Sequence, residues 1–236
     1  MSQLTLDLSP SVLPALDNFV PGRNVEVVQA LRYLLASDAN NHRERCVYLW
    51  GAAGAGKTHL LQAMVYAMTQ HPSTAAHFIA CPPADHFAAQ LDAPGAESAT
   101  SACVAVDAVE RLDADGQIAL FHLYNRLREN LHSVLLVSGT LPPAQLTLRE
   151  DLKTRLGWGL VYEVHALTDF DKIAALAHRA KLRGFDLPPE VSDYLLRHVA
   201  RDMPALLAIL DRLDRQSLSQ HRKITVPLVR ALLSNA

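Results

Sequence analysis

The chain has 236 residues, half of them hydrophobic, with 22 Lys+Arg against 24 Asp+Glu and a formal net charge of −2. That length suits one α/β domain of ordinary size plus a small second one, and the near-balanced charge excludes a broad basic field for nucleic acid. Three cysteines leave at least one unpaired, so Cys46, Cys81 and Cys103 read as buried thiols of a reducing cytosol, not a disulfide framework. No apolar run approaches the ~18 residues of a membrane span and no basic-then-apolar leader opens the chain, so a cytoplasmic protein without membrane contact is expected.

Residues 1–15 hold Pro10, Pro14 and polar residues with no helical period, and predict an extended arm. Within it Gln3 precedes Leu4, Leu6 and Leu8 in alternation with polar residues. Such a pattern suits a peptide docked in another protein's apolar groove, or an end packed on its own domain. A domain over 16–166 follows. Helical spacing covers 26–35, the apolar run Val47-Tyr48-Leu49-Trp50 predicts a strand, and 60–68 has helical character.

Between that strand and helix lies Gly51-Ala52-Ala53-Gly54-Ala55-Gly56-Lys57-Thr58, a complete phosphate-loop pattern in the strand–loop–helix setting it requires. The amides of Gly51, Ala53, Gly54, Ala55 and Gly56, with the first helical turn through His59, would cradle phosphates under the helix dipole. Lys57 can reach the β/γ oxygens and the Thr58 hydroxyl can ligate Mg²⁺. The bland alternative is a Gly/Ala-rich turn with a solvated lysine.

Short strands at 77–80, 104–106 and 134–137, with a helix over 117–131, continue the alternation. Strands without polar alternation, separated by helices, predict an α/β fold whose parallel sheet is covered by helices on both faces. Asp107 ends the third strand, where a phosphate-loop protein needs a carboxylate for Mg²⁺, although aspartate also caps turns. The next residue is Ala108, a methyl group where a self-sufficient ATPase has a second acid, so weak hydrolysis by the chain itself is expected. Glu110 is either a substitute or a solvated turn residue. After Pro142 and Pro143 the strand pattern stops, and 167–236 reads as helices at 169–182, 189–199, 204–219 and 227–234 with starts such as Thr168-Asp169. This predicts a small helical domain. Apolar residues at 206, 207, 209, 210 and 213 suit its core, or an interface between copies.

The chain resembles the Hda family, the regulatory inactivators of DnaA, among the AAA+ DnaA-related proteins. The resemblance rests on Gln3-Leu4-Thr5-Leu6-Asp7-Leu8, Leu16-Asp17-Asn18-Phe19-Val20-Pro21-Gly22, the phosphate loop and Asp107. It continues through Phe121-His122-Leu123-Tyr124-Asn125-Arg126, Thr154-Arg155-Leu156-Gly157-Trp158-Gly159, Leu182-Arg183-Gly184-Phe185 and Arg222-Lys223-Ile224-Thr225-Val226-Pro227. The tail, Ala108 and the end of the sequence at Ala236 favour Hda over DnaA, with the expectation that no DNA-reading domain follows.

This resemblance implies an AAA+ phosphate-loop domain with a C-terminal helical lid, binding ADP or ATP with Mg²⁺ at Thr58 and Asp107. Phe19 and Val20 would lie on the adenine side, and Thr140, with Ser138 behind it, would act as a polar sensor unless it is an ordinary turn hydroxyl. Arg155 matches the arginine finger that reaches a neighbouring protomer's nucleotide, with Arg149 a weaker candidate and a structural ion pair the alternative. Gln3, Leu4, Leu6 and Leu8 match a peptide for the DNA polymerase III sliding clamp (β subunit). DnaA would be the partner, and DNA would be met mainly through the clamp. One departure is Pro204, which stands where the family has a sensor arginine; Arg201 lies nearby. The competing readings are an autonomous AAA+ ATPase or helicase loader, a DNA-binding initiator-like module, and a plain nucleotide-binding subunit.

Overall fold

The computed structural model describes residues 13–36, 44–70, 74–81, 101–129, 133–199, 203–220 and 224–234. Gln3, Leu4, Leu6 and Leu8 of the expected arm lie outside these, as does Arg201. The chain divides between Ala166 and Leu167 into two compact units.

In the first unit the described elements run α1 (Val25–Ala36), β1 (Cys46–Trp50), α2 (Lys57–Thr69), β2 (Thr74–Ala80), β3 (Ser101–Asp107), α3 (Ala114–Glu129), β4 (Val134–Gly139), α4 (Glu150–Trp158) and β5 (Leu160–Glu163). The strands form one sheet in the order β2-β3-β4-β1-β5, and every pairing is parallel. Consecutive strand residues point to opposite faces, so a parallel sheet needs apolar cover on each. Tyr48, Val104, Val106, Leu135 and Val137 pack with Leu120, Leu123 and Leu127 of α3 and Leu152 and Leu156 of α4. On the other face Val47, Leu49, Cys103, Ala105 and Leu136 pack with Val28 and Leu31 of α1 and Leu60, Leu61 and Met64 of α2. This is the α/β architecture expected.

Register places Trp50 beside Gly139 and Val106 beside Val137. The C-terminal ends of β1, β3 and β4 therefore lie side by side, and the segments leaving them share one end of the sheet. Asn24 ties that end to β5: its Nδ2 donates to the His165 carbonyl at 2.8 Å and its Oδ1 accepts from the His165 amide at 2.7 Å. Two elements have no counterpart among the predicted ones. Helix α4 opens on Glu150-Asp151 and buries only Leu152 and Leu156, while β5 has four residues of which alternate ones are half-buried. Neither leaves a periodic signal long enough to read.

The second unit contains α5 (Asp169–Leu182), α6 (Pro189–His198), α7 (Met203–Gln220) and α8 (Val226–Ser234), within about two residues of the spans expected. Thr168 caps α5 reciprocally, its Oγ1 accepting from the Asp171 amide at 3.2 Å while Asp171 Oδ2 accepts from the Thr168 amide at 3.1 Å. Leu176, Leu195, Leu206, Leu210, Leu213 and Val229 form the core. The α7 stripe is thus taken up by its own unit: Leu206, Ile209, Leu210 and Leu213 are buried in the core and Leu207 packs against it. Arg183 bridges to α7 through Asp211 at 2.7 Å and Asp214 at 3.5 Å.

All three cysteines are free and buried, and burial is the main cause that pushes each thiol up to about 12. No described helix is long and apolar enough to cross a membrane. Helix α4 ends at Gly159, where a Cβ would overlap the Cys46 carbonyl at the start of β1. Gly159→Ala is expected to lower stability by about 1–3 kcal/mol through overpacking, read as a lower urea midpoint at unchanged slope.

Candidate functional site

Beyond Trp50 the chain turns through a loop whose glycines meet two different constraints. Gly51 has φ +148°, and a Cβ there would overlap the Val164 carbonyl. Gly56, at φ +100°, caps the N-terminus of α2, and a Cβ there would lie 2.7 Å from Phe19 Cε2. The Phe19 ring therefore rests against the loop, 5.6 Å from the ring of His59, with Val20 half-buried beside it in sequence. No side chain caps α2, so its first-turn amides are left to solvent or a ligand, and the helix dipole adds positive character there. Ala53 and Gly54 are exposed and Ala55 is buried.

Lys57 Nζ donates to the carbonyls of Gly51 at 2.6 Å and Ala52 at 2.9 Å. Burial lowers the pKa of this ammonium, while Glu110 and then Asp107 oppose the shift. Asp107 is held from two directions. Its Oδ2 accepts from Thr58 Oγ1 at 2.6 Å, and its Oδ1 accepts from Ser138 Oγ. The same Ser138 oxygen accepts from the Ala108 amide at 3.0 Å, so one buried hydroxyl joins β4 to the end of β3. The Thr58 hydroxyl and the Asp107 carboxylate are paired hard-oxygen donors at a helix N-terminus, and the two could hold Mg²⁺. Among the described residues there is no cluster of three or more His, Cys, Asp or Glu for a metal.

The expected loop, Phe19, Val20, His59 and Asp107 are thus brought to one end of the sheet, and Thr140 follows the end of β4 as an exposed residue. Glu110 departs from the solvated alternative: its Oε2 is buried and has no hydrogen-bond partner. The signal available in the sequence was its place three residues beyond Asp107, which cannot tell burial from exposure.

Arg155 stands apart from the loop on α4. Its guanidinium lies 4.2 Å from the ring centre of Trp158, 5.8 Å from Phe121 and 6.0 Å from Tyr124. Arg128 lies 5.3 Å from Trp158, which is 51% exposed. None of the ion pairs among the described residues includes Arg155. Arg149, in contrast, is engaged by Asp151 through two hydrogen bonds, at 2.8 and 3.1 Å. The rings belong to motifs already visible in the sequence, but the aromatic face around Arg155 forms only where α3 and α4 meet. Pro204 falls in the first turn of α7, a position that suits proline.

The family model of the bacterial DnaA ATPase domain matches residues 14–163, and the Hda lid-domain model matches residues 169–233. This chain belongs to the DnaA-related AAA+ family, with an Hda-type lid. Its fold is similar to that of domain III of the Thermotoga maritima replication initiation protein DnaA, with a TM-score of 0.73 at 19% identity, covering 94% of this chain and 95% of that one. It is also similar to AMPPCP-bound DnaA from Aquifex aeolicus, with a TM-score of 0.67 at 22% identity, covering 85% of this chain and 64% of that one. RuvB from Thermotoga maritima shares the fold at 17% identity, with a TM-score of 0.67 and coverage of 94% of this chain and 71% of that one. The C-terminal helices of this AAA+ chain are therefore a lid domain.

Ser138→Ala would remove the hydroxyl that donates to Asp107 and accepts from the Ala108 amide. Leaving those groups unpaired is expected to cost about 1–3 kcal/mol, measured by urea unfolding, whereas Thr140→Ala at the exposed position beyond β4 should leave the midpoint unchanged.

Proposed function

We propose that this DnaA-related AAA+ protein is a negative regulator of replication initiation that promotes hydrolysis of DnaA-bound ATP through Arg155 supplied in trans. The observation that carries this reading is the state of Arg155: a permanently charged, forked cation held on an aromatic face and included in none of the ion pairs among the described residues. Stacking on aromatic rings attracts a guanidinium by about 0.5–2 kcal/mol without neutralising it. Charge therefore remains for the γ-phosphoryl group of a neighbouring protomer. Fingers of this kind contribute about 10³–10⁵ in rate, more than enough to decide the lifetime of an ATP-bound partner.

The chain's own site is proposed to bind ADP or ATP through Gly51, Ala53, Gly54, Ala55, Gly56, Lys57, Thr58 and His59, with Phe19 and Val20 towards the base and Thr140 towards the terminal phosphate. The AMPPCP bound to a related DnaA supports an adenine nucleotide. Mg²⁺ held by Thr58 and Asp107 would neutralise phosphate charge. In this reading nucleotide orders the surface that meets DnaA, and catalysis takes place in the partner, in the cytoplasm.

Gln3, Leu4, Leu6 and Leu8 are proposed to dock on the DNA-loaded sliding clamp, one glutamine hydrogen-bonded in a small pocket and the leucines in an apolar groove. Tethering raises the local concentration of the finger near DnaA without adding a new contact. DNA is then met through the clamp, in keeping with a net charge of −2.

With DnaA, ATP and DNA-loaded clamp, Arg155→Ala is expected to reduce stimulated hydrolysis at least ~100-fold while clamp and nucleotide binding persist; retained stimulation would remove the finger assignment. Replacing Gln3 and Leu4 together by alanine should abolish capture by immobilised clamp and leave nucleotide affinity within about twofold, because those residues lie outside the phosphate loop. Clamp capture by the double variant at wild-type strength would refute the docking role.

A further inference from the structure

We propose that Trp158 is the positioning residue for Arg155: its indole restrains the guanidinium so that the group is already ordered when it meets a neighbouring protomer's nucleotide. The proposal rests on reading Arg155 as a finger supplied in trans, and it names the residue that holds that finger.

The cations of this segment are held in two different ways. Arg149 pairs with Asp151 at 2.8 Å and Lys153 with Glu150 at 2.6 Å. No ion pair among the described residues includes Arg155. Its guanidinium lies 4.2 Å from the Trp158 ring centre, closer than to Phe121 at 5.8 Å or Tyr124 at 6.0 Å. A carboxylate would fix a guanidinium and cancel much of its charge. An aromatic face restrains it through the ring quadrupole and leaves the charge for an anion.

Trp158 is the more firmly placed of the two. It stands three residues after Arg155 in α4, so both lie on one side of the helix. Just before it Leu156 is fully buried in the core beneath the sheet, and just after it a Cβ on Gly159 would overlap the Cys46 carbonyl. The backbone at Trp158 is therefore set by the sheet, and an indole has fewer side-chain torsions to fix than an arginine. Arg128 of α3 lies 5.3 Å from the same ring, which links the indole to a second helix. The ring is also half-exposed, which leaves it within reach of a neighbouring molecule.

A guanidinium free to sample its rotamers must be ordered at the moment of reaction, and misplacement by about 1 Å can cost ~100-fold in rate. Trp158 does part of that ordering in advance. Because the ring lies against the guanidinium and not against the nucleotide, its loss lowers the rate at saturation and leaves the strength of docking in place.

The test combines NMR of the full-length protein alone with stimulated hydrolysis by DnaA on DNA-loaded clamp, titrated to saturation with wild type, Trp158→Leu, Trp158→Met, Trp158→Phe and Arg155→Ala. In wild type the Arg155 δ-methylene protons, assigned by their loss in Arg155→Ala, should be shifted upfield by the ring. Trp158→Leu and Trp158→Met keep apolar bulk without a π face. Each should lose that shift and lower the maximal stimulated rate about 10-fold, with the half-saturating concentration within about threefold. Trp158→Phe should recover most of both. Unshifted Arg155 resonances in wild type would overturn the proposal by themselves, whether or not the variants fold. So would a wild-type maximal rate in Trp158→Leu or Trp158→Met, a loss confined to the half-saturating concentration, or a Phe variant no better than Leu. Retained stimulation by Arg155→Ala would instead defeat the finger reading, and the resonance shift would still report whether Trp158 holds Arg155.

Discussion

The grip on Asp107 is the interaction around which the candidate site is organised. Its two carboxylate oxygens are taken by different elements, Thr58 at the start of α2 and Ser138 in β4. A charged acceptor with both oxygens engaged is costly to displace, so it links the helix behind the phosphate loop to two neighbouring strands. Ser138 extends the link to the Ala108 amide. The left-handed residue Ala108, which leads into the turn carrying Glu110, is thus held at its amide by the same hydroxyl.

Parallel pairing explains why these groups meet at all. In a parallel sheet the strand ends line up in one direction, so residues that follow β1, β3 and β4 converge although they are far apart along the chain. The apolar residues on the two faces supply the cover that allows such a sheet to be buried. Arg155 belongs to a separate surface, formed where α3 and α4 meet, and its environment is aromatic in place of acidic. The phosphate-loop pattern and the proposed trans contact therefore rest on different elements of one unit.

Legibility in the sequence followed the length and regularity of each element. Helix α5 was readable because Thr168-Asp169 marks a polar start before a long amphipathic run, and the strands β1, β3 and β4 because their apolar residues are contiguous. The phosphate loop was readable because its spacing is itself the chemical requirement. By contrast, α4 carries charge at its start and a glycine near its end, and β5 is a short edge strand; both are held by tertiary contacts, such as those of Leu152 and Leu156 with the sheet. Glu110 was ambiguous for a related reason, since burial of a turn residue depends on neighbours distant in sequence, here Tyr48 and Gly139.

Sequence alone determined the class of fold, the phosphate-loop pattern between a strand and a helix, and the two-part division into an α/β domain followed by helices, because each is written in local spacing and periodicity. Tertiary structure decided how Asp107 is held, that Ala108 turns left-handed, that Glu110 Oε2 is buried without a hydrogen-bond partner, and that Arg155 lies on Trp158 with Phe121 and Tyr124 nearby. Those properties arise only where separate strands and helices are brought side by side, and a linear pattern does not record such distances.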